Sequence, residues 1–161
     1  MKGIIITLII IGLGAGGLFY VKQKQDAAAA AAAAAALAQV EAERVRLFGD
    51  EATNPAIEWR ETGLGILHQT IGEGAPVFPG AEVRFTYVVR LKDGTEVDRS
   101  KQPLDGRIGQ LVPGMSAGLQ LMREGGQAII YVPPRLGYGK ARVGGIPENS
   151  PLIFEVELLT R

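Results

Sequence analysis

Residues 131–159, YVPPRLGYGKARVGGIPENSPLIFEVELL, constrain the chain more than any other stretch. A β-rich run ends at Pro133-Pro134. A loop punctuated by Gly137, Gly139, Gly144 and Gly145 follows, and residues 152–159 close it as a strand. Paired prolines and glycines stop regular structure on both sides, so the loop needs a shape of its own. The closing strand alternates, with Leu152, Phe154, Val156 and Leu158 on one face and Glu155 and Glu157 on the other. Tyr138 stands between two glycines, and the loop ends in Ile146-Pro147. A shaped loop pinned by such a strand reads as the rim of a binding site.

The chain as a whole narrows what such a site can be. Its 161 residues allow one domain plus extensions. A formal net charge of zero gives no reason to expect a nucleic-acid partner. There is no cysteine, which excludes disulfides and thiolate metal sites, and the single histidine, His68, argues against a histidine-based one. No metal or cofactor is expected.

Residues 3–21 form a run of nineteen without a charge. As a helix rising ~1.5 Å per residue they span ~28 Å, close to the ~30 Å hydrocarbon core of a bilayer. The run exceeds the apolar core of a cleavable signal peptide and is expected to be an uncleaved single-pass membrane anchor. Lys2 on one side and Lys22 and Lys24 on the other leave the positive-inside rule nearly tied. Gly12 and Gly16 make a GxxxG pair that could let two spans pack as a homodimer through the N-terminal helices, the alternative being that small residues are simply common in such spans. Asp26 then precedes ten alanines and the segment LAQVEAERVRLF. Asp is a favoured N-cap and alanine the best helix former, so a helix over 27–48 is expected, and residues 22–56 read as a solvated stalk and linker. A dimerising or docking helix is the alternative. The GDEATNP segment ends it.

From residue 57 onward the texture is that of short strands. Residues 81–91 alternate, with Val83, Phe85, Tyr87, Val89 and Leu91 on one face. Asp93-Gly94 signals a hairpin and residues 95–98 its returning strand. Met115, Leu119 and Met122 fall at helical spacing before Gly125-Gly126. Several strands and one short helix in residues 57–161 make an α+β domain. The G-x-S-x-G pattern at 114–118 resembles a hydrolase nucleophile elbow, but no histidine follows it, and Ser116 reads instead as a helix N-cap.

In order along the chain stand GLGILHQTIGEG, VRFTYVVRLKDGTEVD, IGQLVPGMSAGLQLMREGG and the opening stretch. Together they resemble the FKBP-type peptidyl-prolyl cis-trans isomerases over essentially the whole region 57–161. The resemblance implies a five-stranded antiparallel sheet wrapped around a short helix, here preceded by the transmembrane helix and the Ala-rich helical stalk. It also implies proline-containing polypeptides as substrates and an apolar prolyl pocket between helix and sheet. Tyr87, Asp98 and Tyr138 match the family's polar site residues. Val97, Leu104, Gln110, Leu111, Val112, Met115, Ile146 and Phe154 match its substrate-binding positions. Val97, Leu104 and Met115 stand where the family commonly has aromatic residues, the tryptophan under the proline ring among them. The implied function is acceleration of X-Pro rotation in folding proteins without covalent chemistry. The alternative is a tethered prolyl-peptide-binding or chaperone module with weak or no catalysis. In a bacterial cell the domain would face the periplasm.

Overall fold

The structure, a computed structural model, describes residues 15–160. Most of the expected membrane anchor, residues 3–21, lies outside them. Among the described residues no helix is long and apolar enough to cross a membrane. The chain divides into two compact units, Met1–Gln39 and Val40–Arg161.

Helix α1 spans Ala15–Phe48. The alanine run makes helix the lowest-cost conformation, as expected, but Asp26 is not its N-cap: the helix runs straight through it. One Asp inside an otherwise strong helix-forming stretch costs only ~0.7 kcal/mol or less, too little to stop it. The helix ends where Gly49 takes the left-handed conformation (φ 61°), which a Cβ would strain, and a 3-10 turn follows over Gly49–Thr53.

The second unit holds the sheet. Its strands are β1 (Glu58–Trp59), β2 (Gly65–Thr70), β3 (Glu82–Leu91), β4 (Glu96–Arg99), β5 (Leu104–Arg107), β6 (Gln127–Val132) and β7 (Leu152–Leu159), and helix α2 (Pro113–Leu119) precedes β6. The order is β1-β2-β6-β7-β3-β4, with β5 also on β3, and every pairing is antiparallel. The expectation of five strands is met by seven for two reasons. One lane beside β3 is split, β5 covering Glu82–Phe85 and β4 covering Val88–Arg90. The two-residue β1 adds an edge to β2.

Alternation sets two faces. On the front, Ile66, Val83, Phe85, Val89, Ala128, Ile130, Val132, Leu152, Phe154, Val156 and Leu158 are buried against α2 in the main core. The helix lies close because Gly114 and Gly118 have no side chains. A Cβ on Gly114 would stand 2.3 Å from Val132 Cγ1, and one on Gly118 would stand 2.5 Å from Ile130 Cδ1. Helical residues four apart share a face, so both glycines meet β6.

The back face is not simply solvated. Leu67, Ile129, Tyr131 and Ile153 carry a second cluster closed by Leu47 and Phe48 from the last turn of α1, with Ile57 and Trp59. Phe48 meets Tyr131 edge-on at 5.6 Å and Trp59 at 5.5 Å, and the Arg44 guanidinium lies 5.0 Å from the Trp59 ring. The indole covers Gly65, where a Cβ would stand 2.7 Å from it. Residues 40–56, read from sequence as stalk and linker, therefore belong to the compact unit.

Filling the α2–β6 contact tests its importance. Gly118→Ala should lower unfolding stability by about 1–3 kcal/mol, since the methyl must displace three Ile130 carbons. Denaturant unfolding that returns the wild-type midpoint would contradict this packing.

Candidate functional site

Between the N-terminal end of α2, strand β4 and the loop before β7, the front face carries partly buried rather than fully covered apolar residues. They are Tyr87, Val97, Leu111, Val112, Leu136 and Tyr138, all packed on the main core. Beneath them Phe154, Met115 and Ile146 are 4%, 4% and 6% exposed, so the floor is dry.

Tyr87 is the polar centre on the sheet side. Its hydroxyl donates to Asp98 Oδ2 at 2.7 Å. Its ring stands 6.1 Å from Phe85 and 6.5 Å from Phe154, both tilted. Burial, then the Asp98 hydrogen bond and the Asp98 charge, push the Tyr87 phenol from 10.0 up to about 12, with Tyr138 contributing last. Ser100, which no sequence signal singles out, clamps the same residue from behind. The Tyr87 N–H donates to Ser100 Oγ at 2.9 Å, and the Ser100 N–H donates to the Tyr87 carbonyl at 3.0 Å.

Regular alternation would send Val97 and Asp98 to opposite faces. The structure avoids this with a bulge. Val89 pairs with Asp98 and Arg90 with Glu96, so Val97 is left without a partner in the ladder. Asp98 then shares a row with Val89, Phe154 and Ile130, while Val97 also packs on the front cluster.

The loop meets this bulge. Val143 and Ile146 exchange both backbone hydrogen bonds around Gly144 (φ 55°), making a tight turn. Gly145 approaches Val97 closely enough that a Cβ would stand 3.9 Å from Cγ1. At the loop's base Gly137 and Gly139 both donate to the Pro134 carbonyl, at 3.0 and 2.9 Å, and Asn149 donates to the Gly139 carbonyl at 2.6 Å. Tyr138 is thereby held over the core half-buried, and its phenol has no hydrogen-bond partner among the described residues.

On the helix side, Leu111 and Val112 lead into α2, with Val112 as its N-cap residue. Gly106 makes room here: a Cβ would stand 3.0 Å from Phe85 and 3.1 Å from Leu111. Ser116 is not the N-cap. It lies inside α2 and is buried, and its Oγ accepts from the Gly109 N–H at 3.1 Å and faces the Leu111 carbonyl at 3.5 Å. Its hydroxyl stitches the preceding loop to the helix, which leaves the nucleophile reading without support.

Two expected positions stand apart. Leu104, the first residue of β5, pairs with Phe85 of β3 but is 39% exposed. Gln110 is exposed and lines a polar depression with Glu82, Asp105 and Arg107. Among the described residues no group of three or more His, Asp or Glu side chains is placed to hold a metal ion. The remaining groups offer an apolar floor, a ring of partly buried aliphatic side chains, one tyrosine already hydrogen-bonded to Asp98 and one whose hydroxyl is open to solvent and free to bond a ligand. Such a surface can hold an apolar ring and hydrogen-bond a carbonyl.

The tyrosines make the geometry testable by pH. Tyr131, buried and bonded to Glu51 Oε2 at 3.1 Å, is also pushed up to about 12, first by burial and then by the Glu51 charge. A folded-state pKa above the unfolded one means the folded chain holds more protons between pH 10 and 12, so stability falls as pH rises through that window. Of the four tyrosines, Tyr87 and Tyr131 should resist ionisation to about pH 12 in an absorbance titration. Tyr87→Phe should remove one late proton, and an unchanged high-pH limb in that variant would contradict the burial of Tyr87.

Comparison with known proteins agrees with this geometry. Residues 74–159 match the model of the FKBP-type peptidyl-prolyl cis-trans isomerase family. The chain is 38% identical over 105 residues to the FKBP-type peptidyl-prolyl cis-trans isomerase FkpA of Escherichia coli K12, covering 62% of this chain and 39% of that protein. The crystal structure of FkpA from Escherichia coli superposes with a TM-score of 0.68 at 32% identity, over 92% of this chain and 73% of that one. A peptidyl-prolyl cis-trans isomerase from Pseudomonas syringae pv. tomato gives 0.68 at 28% identity, over 76% of this chain and 92% of that one. The chain thus spans about two fifths of the length of the curated relative. With its matched segment covering the sheet from before β3 to the end of β7, together with α2, the chain belongs to the FKBP-type peptidyl-prolyl cis-trans isomerase family.

Proposed function

We propose that this protein is a peptidyl-prolyl cis-trans isomerase acting on proline-containing polypeptides. The observation that carries the reading is Tyr138: a half-buried tyrosine whose phenol has no hydrogen-bond partner among the described residues, held by its loop beside a dry apolar floor. Rotation about an X-Pro bond faces a barrier of ~18–20 kcal/mol set by amide resonance and takes tens to hundreds of seconds unaided. Neither a nucleophile nor a metal is needed. A catalyst must bind the twisted amide better than the planar one. Twisting removes resonance and lowers the carbonyl's polarity, so an apolar surface favours the twisted state over the planar one.

On this reading Val97, Leu111, Val112, Met115, Ile146 and Phe154 form the walls and floor for the proline ring. The Tyr138 hydroxyl donates to a substrate carbonyl. Asp98 holds the Tyr87 hydroxyl, so that Tyr87 presents its ring rather than an unpaired donor. Leu104 and Gln110 meet chain flanking the proline. The non-aromatic residues at Val97, Leu104 and Met115 favour a second reading, a prolyl-peptide-binding or chaperone module with weak turnover. Exchange NMR on a short X-Pro peptide separates the two readings. The full-length chain should accelerate cis-trans exchange, and Tyr138→Phe should cut the rate about five- to tenfold, the effect of losing one neutral hydrogen bond of ~1 kcal/mol. Peptide binding without faster exchange would reject the enzyme and leave the binding module.

We also infer that residues 3–21 tether the protein to a membrane, on the strength of their nineteen uncharged residues. In a bacterial cell the domain would then face the periplasm. The protein should stay in the membrane pellet after alkaline carbonate washing and become protease-accessible once the outer membrane is permeabilised. Release by carbonate would remove the tether, and protection from protease would reverse the orientation.

A further inference from the structure

The Tyr138 loop is fastened at its base to an element outside the family-matched segment. Arg135 sits in the middle of the 3-10 turn Pro134–Leu136, which ends one residue before Gly137. Its guanidinium reaches two other segments at once. Nη1 lies 3.2 Å from Glu43 Oε2 on α1, and Nη2 donates to the Thr62 carbonyl at 2.5 Å in the β1–β2 turn. It passes over Gly63, which has φ 71° and where a Cβ would stand 3.2 Å from Nη2, so the turn is shaped to admit it. The 3-10 turn that carries Arg135 also supplies the Pro134 carbonyl that accepts from both Gly137 and Gly139, the residues on either side of Tyr138. A groove lined by Glu43, Arg46, Leu47, Arg135, Gly139 and Lys140, among others, separates the end of α1 from the back of the loop, and Arg135 is the side chain that bridges it by hydrogen bond and ion pair.

We propose that Arg135 is a positioning residue for the prolyl site: by tying the base of the Tyr138 loop to Glu43 of α1 and to the β1–β2 turn, it sets where the Tyr138 phenol stands. The inference rests on the role proposed for Tyr138. Glu43 and Arg135 are both 40% or more exposed, and exposed ion pairs contribute little to global stability. Placement of a contact group, by contrast, is costly to disturb, since a shift of ~1 Å can change a rate by up to ~100-fold. Arg135 therefore acts on the site through geometry. Its removal should be felt in turnover more than in unfolding.

The test uses the full chain and four proteins: wild type, Arg135→Ala, Tyr138→Phe and the double variant. X-Pro exchange by NMR should fall about three- to tenfold in Arg135→Ala with little change in thermal midpoint, and the same substitution should cost nothing further when Tyr138 is already Phe. Equal losses in both backgrounds would overturn the proposal, because they would show a general effect rather than one acting through Tyr138. Amide hydrogen exchange supplies an arm independent of catalysis. In Arg135→Ala the Gly139 and Asn149 amides should exchange faster while those of β7 stay protected, and unchanged protection would also overturn it. A wild-type chain without activity would reject the proposed function instead, with the amide arm still deciding whether Arg135 anchors the loop.

Discussion

Two missing side chains hold this fold together. Gly114 and Gly118 let α2 approach β6 so closely that any Cβ would enter Val132 or Ile130. Cores are packed near crystal density, so a helix displaced by one methyl layer would open voids along its length. Met115 and Leu119, next to those glycines, fill the space above the sheet and are almost completely buried. The start of α2 is thereby fixed too, placing Leu111 and Val112 at the margin of the core. The candidate site is what remains where the helix stops covering the sheet. Its floor is ordinary core, and only its rim is special.

That rim depends on departures from regular structure. The bulge at Val97 lets adjacent residues of β4 serve one face. The 143–146 turn brings the loop down to Val97, and the doubled hydrogen bond to Pro134 holds Tyr138 in place. Each device has a local energetic basis in glycine's tolerance of positive φ or in backbone donors that must find acceptors. On the opposite face, α1 covers an aromatic patch that an exposed sheet would otherwise present to water. Phe48, Trp59 and Tyr131 meet there edge-on or tilted, and the Tyr131 hydroxyl reaches Glu51. The two faces meet at Pro133–Arg135, where β6 leaves the sheet and the site's loop begins.

Much of this could be read from residue order. The alternation of β3 and β7, the Asp93-Gly94 hairpin and the glycine-rich loop all follow local rules, and local rules survive folding. The family resemblance singled out Tyr87, Val97 and Asp98 together, and strict alternation already requires a bulge or bend for Val97 and Asp98 to reach one cleft, but nothing in a four-residue strand such as EVDR marks where that bulge falls. The back-face cluster was missed for a related reason. QAIIYV in β6 is apolar on both faces, which signals cover on both sides, yet nothing in an alanine-rich helix announces that its last turn supplies that cover. Asp26 misled because cap preference is a weak signal inside so strong a helix former. Ser116 misled because a hydroxyl near a helix start need not be its cap. Arg135 carries no sequence signal of its own, and its proposed role rests on the three segments that its guanidinium joins.

We place the proline of a bound polypeptide on the rim between β4, the start of α2 and the Tyr138 loop. Contacts between an unlabelled X-Pro peptide and the isotope-labelled full chain, read as intermolecular NOEs, test this most directly. Contacts from the proline ring protons to the Met115 methyl, the Ile146 methyls and the Phe154 ring are predicted. Contacts confined to the back face around Trp59 and Tyr131, or to the polar depression at Gln110, would contradict the account.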